Sequence, residues 1–141
     1  LACVYLACNQ VAPGFENVEL GLGEALLKKS IVQTTGTNLS FIKKKYAEMG
    51  DLGLVAQHYR GKQKQIMFTK PKPLKLMNVF RCFKEIASIS GSKSQDKKCG
   101  AIKKLLVDSK GLEAKYIIRG LQGKLRIGMS EQREMMKSLL L

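Results

Sequence analysis

The chain has 141 residues, with 25 Lys and Arg against 11 Asp and Glu, a formal charge of +14 and a pI near 9.8. That excess argues against a polycationic partner and points to a polyanion, either nucleic acid or an anionic membrane surface. A hydrophobic fraction of 45% is enough for one core. No apolar run reaches the roughly 18 to 20 residues of a bilayer span, and the N-terminus lacks the charged flank of a signal peptide, so the chain reads as soluble and intracellular with no membrane partner.

Apolar residues recur at three and four positions almost throughout, which predicts an all-α fold, an irregular bundle of short helices with helical-hairpin pairs. A first helix is expected over Leu1–Asn9, then a loop through Pro13 and Gly14. An amphipathic helix from Gly23 to Thr35 buries Leu26, Leu27 and Ile31 and stops at Gly36. Asn38 caps the next, with Leu39, Ile42 and Tyr46 on one face, Lys43 to Lys45 on the other, and Gly50 as the stop. Asp51 caps a shorter helix through Leu54, Val55 and His58. Residues 61–73 form an exposed linker rich in Lys and Pro, which divides the single domain, residues 1–141, into helical parts 1–60 and 74–141. The stripe Val79, Phe80, Phe83, Ile86, Ala87 and Ile89 then predicts a helix closing at Ser90-Gly91. Ser92 or Ser94 caps its successor, which turns Ile102, Leu105 and Leu106 inward and Lys97, Lys98, Lys103 and Lys104 outward until Gly111. A helix over Leu112–Leu121 leads to a glycine-bracketed run, 123–128, and Ser130 caps a last helix with Glu131 in its first turn. Both termini lack start or stop signals, so the chain reads as cut from something longer.

Charge is unevenly placed. Residues 1–60 carry a net +1, 61–90 a net +6 and 91–141 a net +7. Two stretches in the basic part can meet phosphate. In 123–128 (GKLRIG), Lys124 and Arg126 lie two apart, so an extended backbone points both the same way. Gly123 and Gly128 let the backbone come close to a ligand. A solvated connector with two stray cations explains these features equally well. In 90–98 (SGSKSQDKK), hydroxyls, a helix start and Lys93, Lys97 and Lys98 could share the same phosphates, though ordinary capping accounts for Ser92 and Ser94 too. Gly21 to Glu24 lacks the pattern of a phosphate loop and reads as a turn. His58 reads as structural. Cys3, Cys8, Cys82 and Cys99 form no CxxC pair, which fits reduced thiols rather than a zinc site or disulfides. No Ser-His-Asp set, carboxylate cluster or Lys-x-Asp-Gly is present, so no residue is assigned as catalytic, cofactor-binding or metal-binding.

Four stretches together, 1–10 (LACVYLACNQ), 50–56 (GDLGLVA), Gly91-Ser92 and 123–132 (GKLRIGMSEQ), occur in the order found in the N-terminal DNA-binding domain of eukaryotic ATP-dependent DNA ligases of the ligase I type, which this chain resembles over all but the linker. The resemblance implies an irregular helical bundle that grips nicked double-stranded DNA through the minor groove and backbone. Gly123, Lys124, Arg126 and Gly128 would lie in the groove-facing loop, and Gly91, Ser92 and Lys93 beside the backbone at a helix start. It also implies a nuclear parent enzyme whose remaining catalytic domains bring ATP, Mg and the adenylated lysine. The alternatives from the residues alone are a helical protein-binding scaffold with a basic surface and an RNA-binding module. The first leaves the charge after residue 60 unexplained, and the second lacks aromatics in the basic loops.

Overall fold

Helix boundaries follow from local chemistry. The computed structural model describes residues 1–16, 18, 20–62 and 72–128. Among them lie α1 (Ala2–Ala7), a 3-10 turn (Gly14–Glu16), α2 (Glu24–Thr35), α3 (Leu39–Met49), α4 (Leu52–Lys62), α5 (Leu76–Ser88), α6 (Ser94–Asp108) and α7 (Glu113–Gln122), with no strand, so the fold is all-α as expected. Gly36 and Gly50 end α2 and α3 in the left-handed conformation at φ 67° and 66°, where a Cβ would be strained. Asn38 Oδ1 accepts the Ser40 N–H at 3.0 Å and starts α3, and Asp51 Oδ1 accepts the Gly53 N–H at 2.8 Å at the start of α4.

Several expectations shift. The helix expected to stop near His58 runs to Lys62, so Gly61 and Lys62 are helical rather than linker. Lys72 and Pro73 are exposed, while 63–71 lie outside the described residues, as do Ser130 and Glu131. Neither Ser92 nor Ser94 caps α6. The capping position is Lys93, at φ 60°, and its side chain makes no capping bond. Two residues with positive φ, Gly91 at 83° and Lys93, turn the chain sharply here. α6 ends at Asp108, before Gly111, because Ser109 is already extended at ψ 145° and its Oγ donates to the Leu106 carbonyl at 2.6 Å. Leu26 is only half-buried and Leu39 is 40% exposed. α2 instead turns Ser30 inward, its hydroxyl 3.2 Å from Cys99 Sγ.

The core gathers Leu27, Ile31, Ile42, Leu52, Val55, Ile86, Ile102, Leu106, Ile118 and Leu121, each shielded from water, and burying such side chains contributes about 1.5 to 3 kcal/mol apiece. Contacts fix the helix directions. Tyr46 reaches Glu24, so α3 returns along α2. Tyr59 reaches the Phe41 carbonyl, so α4 returns along α3. Lys29 meets Asp96 and Gln33 meets Cys99, which sets α6 parallel to α2. Arg60 donates to the Val107 and Ser109 carbonyls while Gly53 abuts Lys115 and Arg119, so α4 and α7 run antiparallel. α5 packs on α1 through the stacked rings of Tyr5 and Phe80, 5.8 Å between centroids. One end of the bundle therefore collects the starts of α2, α4 and α6 and the finishes of α3 and α7.

Candidate nucleic-acid interface

Both basic stretches singled out in the sequence emerge at that end. The turn 91–93 precedes α6, with Gly91, Ser92 and Lys93 all exposed. No side chain caps α6, whose Ser94 N–H donates instead to the Gly91 carbonyl at 3.2 Å, and Lys93, Lys97 and Lys98 lie in and around this first turn; amides without an intrahelical partner at a helix start favour a phosphate oxygen. Asp96, also in that first turn, is held by Lys29 at 2.8 Å. The Lys29 ammonium is stabilised in its charged form by that hydrogen bond and by the carboxylate charge.

The loop 123–128 leaves α7 through Gly123, left-handed at φ 81°, where a Cβ would lie 3.8 Å from Asn9 Nδ2 and from Gly21 Cα. Asn9 itself is left-handed, at φ 58°, and its Nδ2 donates to the Gly120 carbonyl at 3.2 Å. The Leu22 N–H donates to the Leu121 carbonyl at 2.8 Å. The chain segment before α2 therefore packs against the root of the loop. Beyond the root, Leu125 is buried, while Lys124, Arg126 and Gly128 are exposed. Lys124 stands near Glu24, whose carboxylate is held below the ordinary range first by the Tyr46 hydroxyl at 2.6 Å, then by Lys28, with a smaller contribution from Lys124. The loop is not straight: Arg126 is at φ 55°. The expected extended geometry, with both cations pointing one way, therefore does not hold.

An ion pair anchors the loop from beneath. Asp51, 3% exposed, accepts from Arg119 Nε at 2.9 Å and from Arg119 Nη2. Arg119 Nη1 in turn donates to the Leu125 carbonyl at 3.4 Å. Burial pushes the Asp51 carboxyl up, but Arg119 and the Gly53 amide outweigh it and hold it below the usual aspartate range. Sequence reasoning found Asp51 as a cap but missed Arg119, 68 residues away, because no local pattern links them. His58, expected to be structural, packs edge-on to Tyr59 at 5.1 Å, and burial with Lys62 and Lys45 nearby disfavours its charged form. Of the four cysteines, Cys8 and Cys99 are buried, Cys82 is half-buried and Cys3 is exposed. No helix among the described residues is long and apolar enough to cross a membrane. A second surface feature is apolar, a groove of about 420 Å³ between α1, the start of α5 and α7, lined by Leu6, Leu76, Val79, Phe83, Tyr116 and Leu125 among others.

A helical bundle that brings two basic loops to one end, one of them at a helix start without a side-chain cap, defines the class of the chain, an all-helical module with a basic end. Comparison with known proteins narrows that class. The family model described as DNA ligase N terminus matches residues 1–135, and the chain belongs to that family. It is 46% identical to DNA ligase 1 of Dictyostelium discoideum over 133 residues, 94% of this chain and 11% of that protein. It is 46% identical to DNA ligase 1 of Schizosaccharomyces pombe, covering 94% of this chain and 17% of that protein. For DNA ligase 1 of Saccharomyces cerevisiae the identity is 48%, over 91% of this chain and 17% of the relative. The chain thus spans less than a fifth of the length of these three relatives.

Proposed function

We propose that this chain is the DNA-gripping part of an ATP-dependent DNA ligase, holding nicked duplex through the minor groove and sugar-phosphate backbone while other domains of the same parent chain seal the nick. The observation that carries this reading is that the two basic loops, 91–93 and 123–128, emerge at one end of a bundle whose family is that of ligases. Gly91, Ser92 and Lys93 meet one stretch of backbone through amides, hydroxyl and ammonium. Gly123, Lys124, Arg126 and Gly128 form the groove-facing loop, whose glycines keep the backbone thin. Contacts of this kind are mainly to phosphate and sugar, so affinity is tolerant of sequence and falls with salt, as suits an enzyme that acts at any nick. The parent enzyme would use ATP and Mg in the nucleus, in replication, repair and recombination. This chain has no Lys-x-Asp-Gly and supplies grip rather than chemistry.

The test is the double variant Lys93→Ala with Lys124→Ala. It is expected to weaken duplex binding and flatten the slope of log K against log salt by about two, since each lost phosphate contact releases fewer counterions. An unchanged slope in the folded variant would remove both loops from the interface. The helical-scaffold reading has one observation in its favour, the apolar groove between α1, α5 and α7 with Leu76, Leu112 and Tyr116 exposed along it. It leaves the charge of the second half without a role.

A further inference from the structure

We infer that Lys29 is a positioning residue for the turn 91–93: reaching across from α2, it holds the Asp96 carboxylate and leaves Lys93, Lys97 and Lys98 to meet a phosphate at the start of α6. The inference rests on the reading of the chain as a DNA grip and gives a part in it to a helix outside both basic loops. Asp96 is the one carboxylate in 90–98 (SGSKSQDKK), and it lies in the first turn of α6, where it would repel an approaching phosphate. Three lysines stand close to it in sequence, yet it pairs with none of them. Among the described residues its ion-pair partner is Lys29, Nζ to Oδ1 at 2.8 Å. The Ser94 N–H donates to the Gly91 carbonyl and the Lys97 N–H to the Lys93 carbonyl, each at 3.2 Å, while the Gln95 and Asp96 amides have no acceptor among the described residues.

The pair is not what joins the two helices. Cys99, further along α6, is buried against α2, its Sγ 3.2 Å from Ser30 Oγ and donating to Gln33 Oε1 at 3.2 Å. Leu27 and Ile31 of α2 share the core with Ile102 and Leu106 of α6. Lys29 and Asp96 stand at the surface, their side chains 46% and 69% exposed, where an ion pair adds little stability. Its effect is on what approaches: an unpaired carboxylate roughly 7 Å from a phosphate in water lowers affinity about threefold.

The discriminating measurement is a double-variant cycle, titrating the 141-residue chain with a fluorescent nicked duplex over a series of salt concentrations, with folding checked by circular dichroism. Lys29→Met is expected to bind about threefold more weakly. Asp96→Asn is expected to bind at least as tightly as the parent, and the double variant like the parent. Lys103→Met removes the same charge from an exposed site about 10 Å further along α6, and is expected to change affinity less than about twofold. Asp96→Asn binding as weakly as Lys29→Met would make the pair a strut between helices and overturn the inference. A double variant as weak as Lys29→Met, with the slope of log K against log salt flattened by about one, would put Lys29 itself on phosphate and overturn it too. Equal losses in Lys29→Met and Lys103→Met would reduce the effect to net charge, with the same consequence. A parent chain that binds no duplex at low salt would instead remove the reading beneath the inference, and the inference with it.

Discussion

Gly53 sits where α4 crosses α7, and the crossing depends on its missing side chain. A Cβ there would lie 2.6 Å from the Lys115 carbonyl oxygen and 2.8 Å from Arg119 Cγ. The first is backbone and cannot swing away, so Gly53→Ala is expected to cost about 1 to 3 kcal/mol, read as a lower urea midpoint at unchanged m-value. Because Arg119 is one of the two atoms' owners, the same change disturbs the Asp51 pair and through it the 123–128 loop. The sequence disclosed half of this arrangement. Asp51 is legible as a cap because it directly precedes an apolar helix, but its pairing with Arg119 depends on two helices meeting 68 residues apart. Likewise the spacing of Lys124 and Arg126 implied parallel side chains, and it failed because a left-handed residue resets the direction. Side-chain spacing carries no record of that backbone turn.

At the scale of the element, the helix stops read most clearly where a glycine takes a left-handed turn. Gly36, Gly50 and Gly123 each end a helix in that conformation. The starts were less legible because several residue types compete for the capping role. Asn38 fills it for α3, yet at α6 two serines stand in the right place and neither is used. This contrast yields a paired expectation. Asn38→Ala should lose about 1 kcal/mol of stability, since it leaves a first-turn amide without its partner. Ser92→Ala should leave stability within about 0.5 kcal/mol of the parent, as for an ordinary surface change, while weakening duplex binding if its hydroxyl meets phosphate. Thermal unfolding and duplex titration of both variants check it, and a loss of stability in Ser92→Ala equal to that in Asn38→Ala would restore Ser92 to a purely capping role.

For the molecule as a whole, the alternation of helix directions matters more than any one helix. It brings the starts of α2, α4 and α6 to the same end as the root of the loop after α7. At two of these starts the carboxylate, Glu24 on α2 and Asp51 on α4, is engaged, by Lys28 with Tyr46 and by Arg119 respectively. The start of α6 has only Asp96, and Lys29 draws on that charge. A polyanion approaching this end therefore meets exposed ammonium groups and the amides of α6, with the acidic groups already engaged. The sequence placed the excess charge after residue 60 but could not say that the two basic loops share an end, which only the packing of α2 against α6 and of α4 against α7 determines.

The central question is whether this basic end takes duplex DNA. The most direct measurement is an equilibrium titration of the purified chain against nicked duplex, intact duplex and an RNA hairpin of equal length, each over a series of salt concentrations. The expected result is binding to both duplexes that exceeds binding to the hairpin and weakens steeply as salt rises, with the nicked duplex bound at least as well as the intact one. A chain that is helical by circular dichroism and yet binds none of the three at low salt would contradict the account and leave the apolar groove as the functional surface.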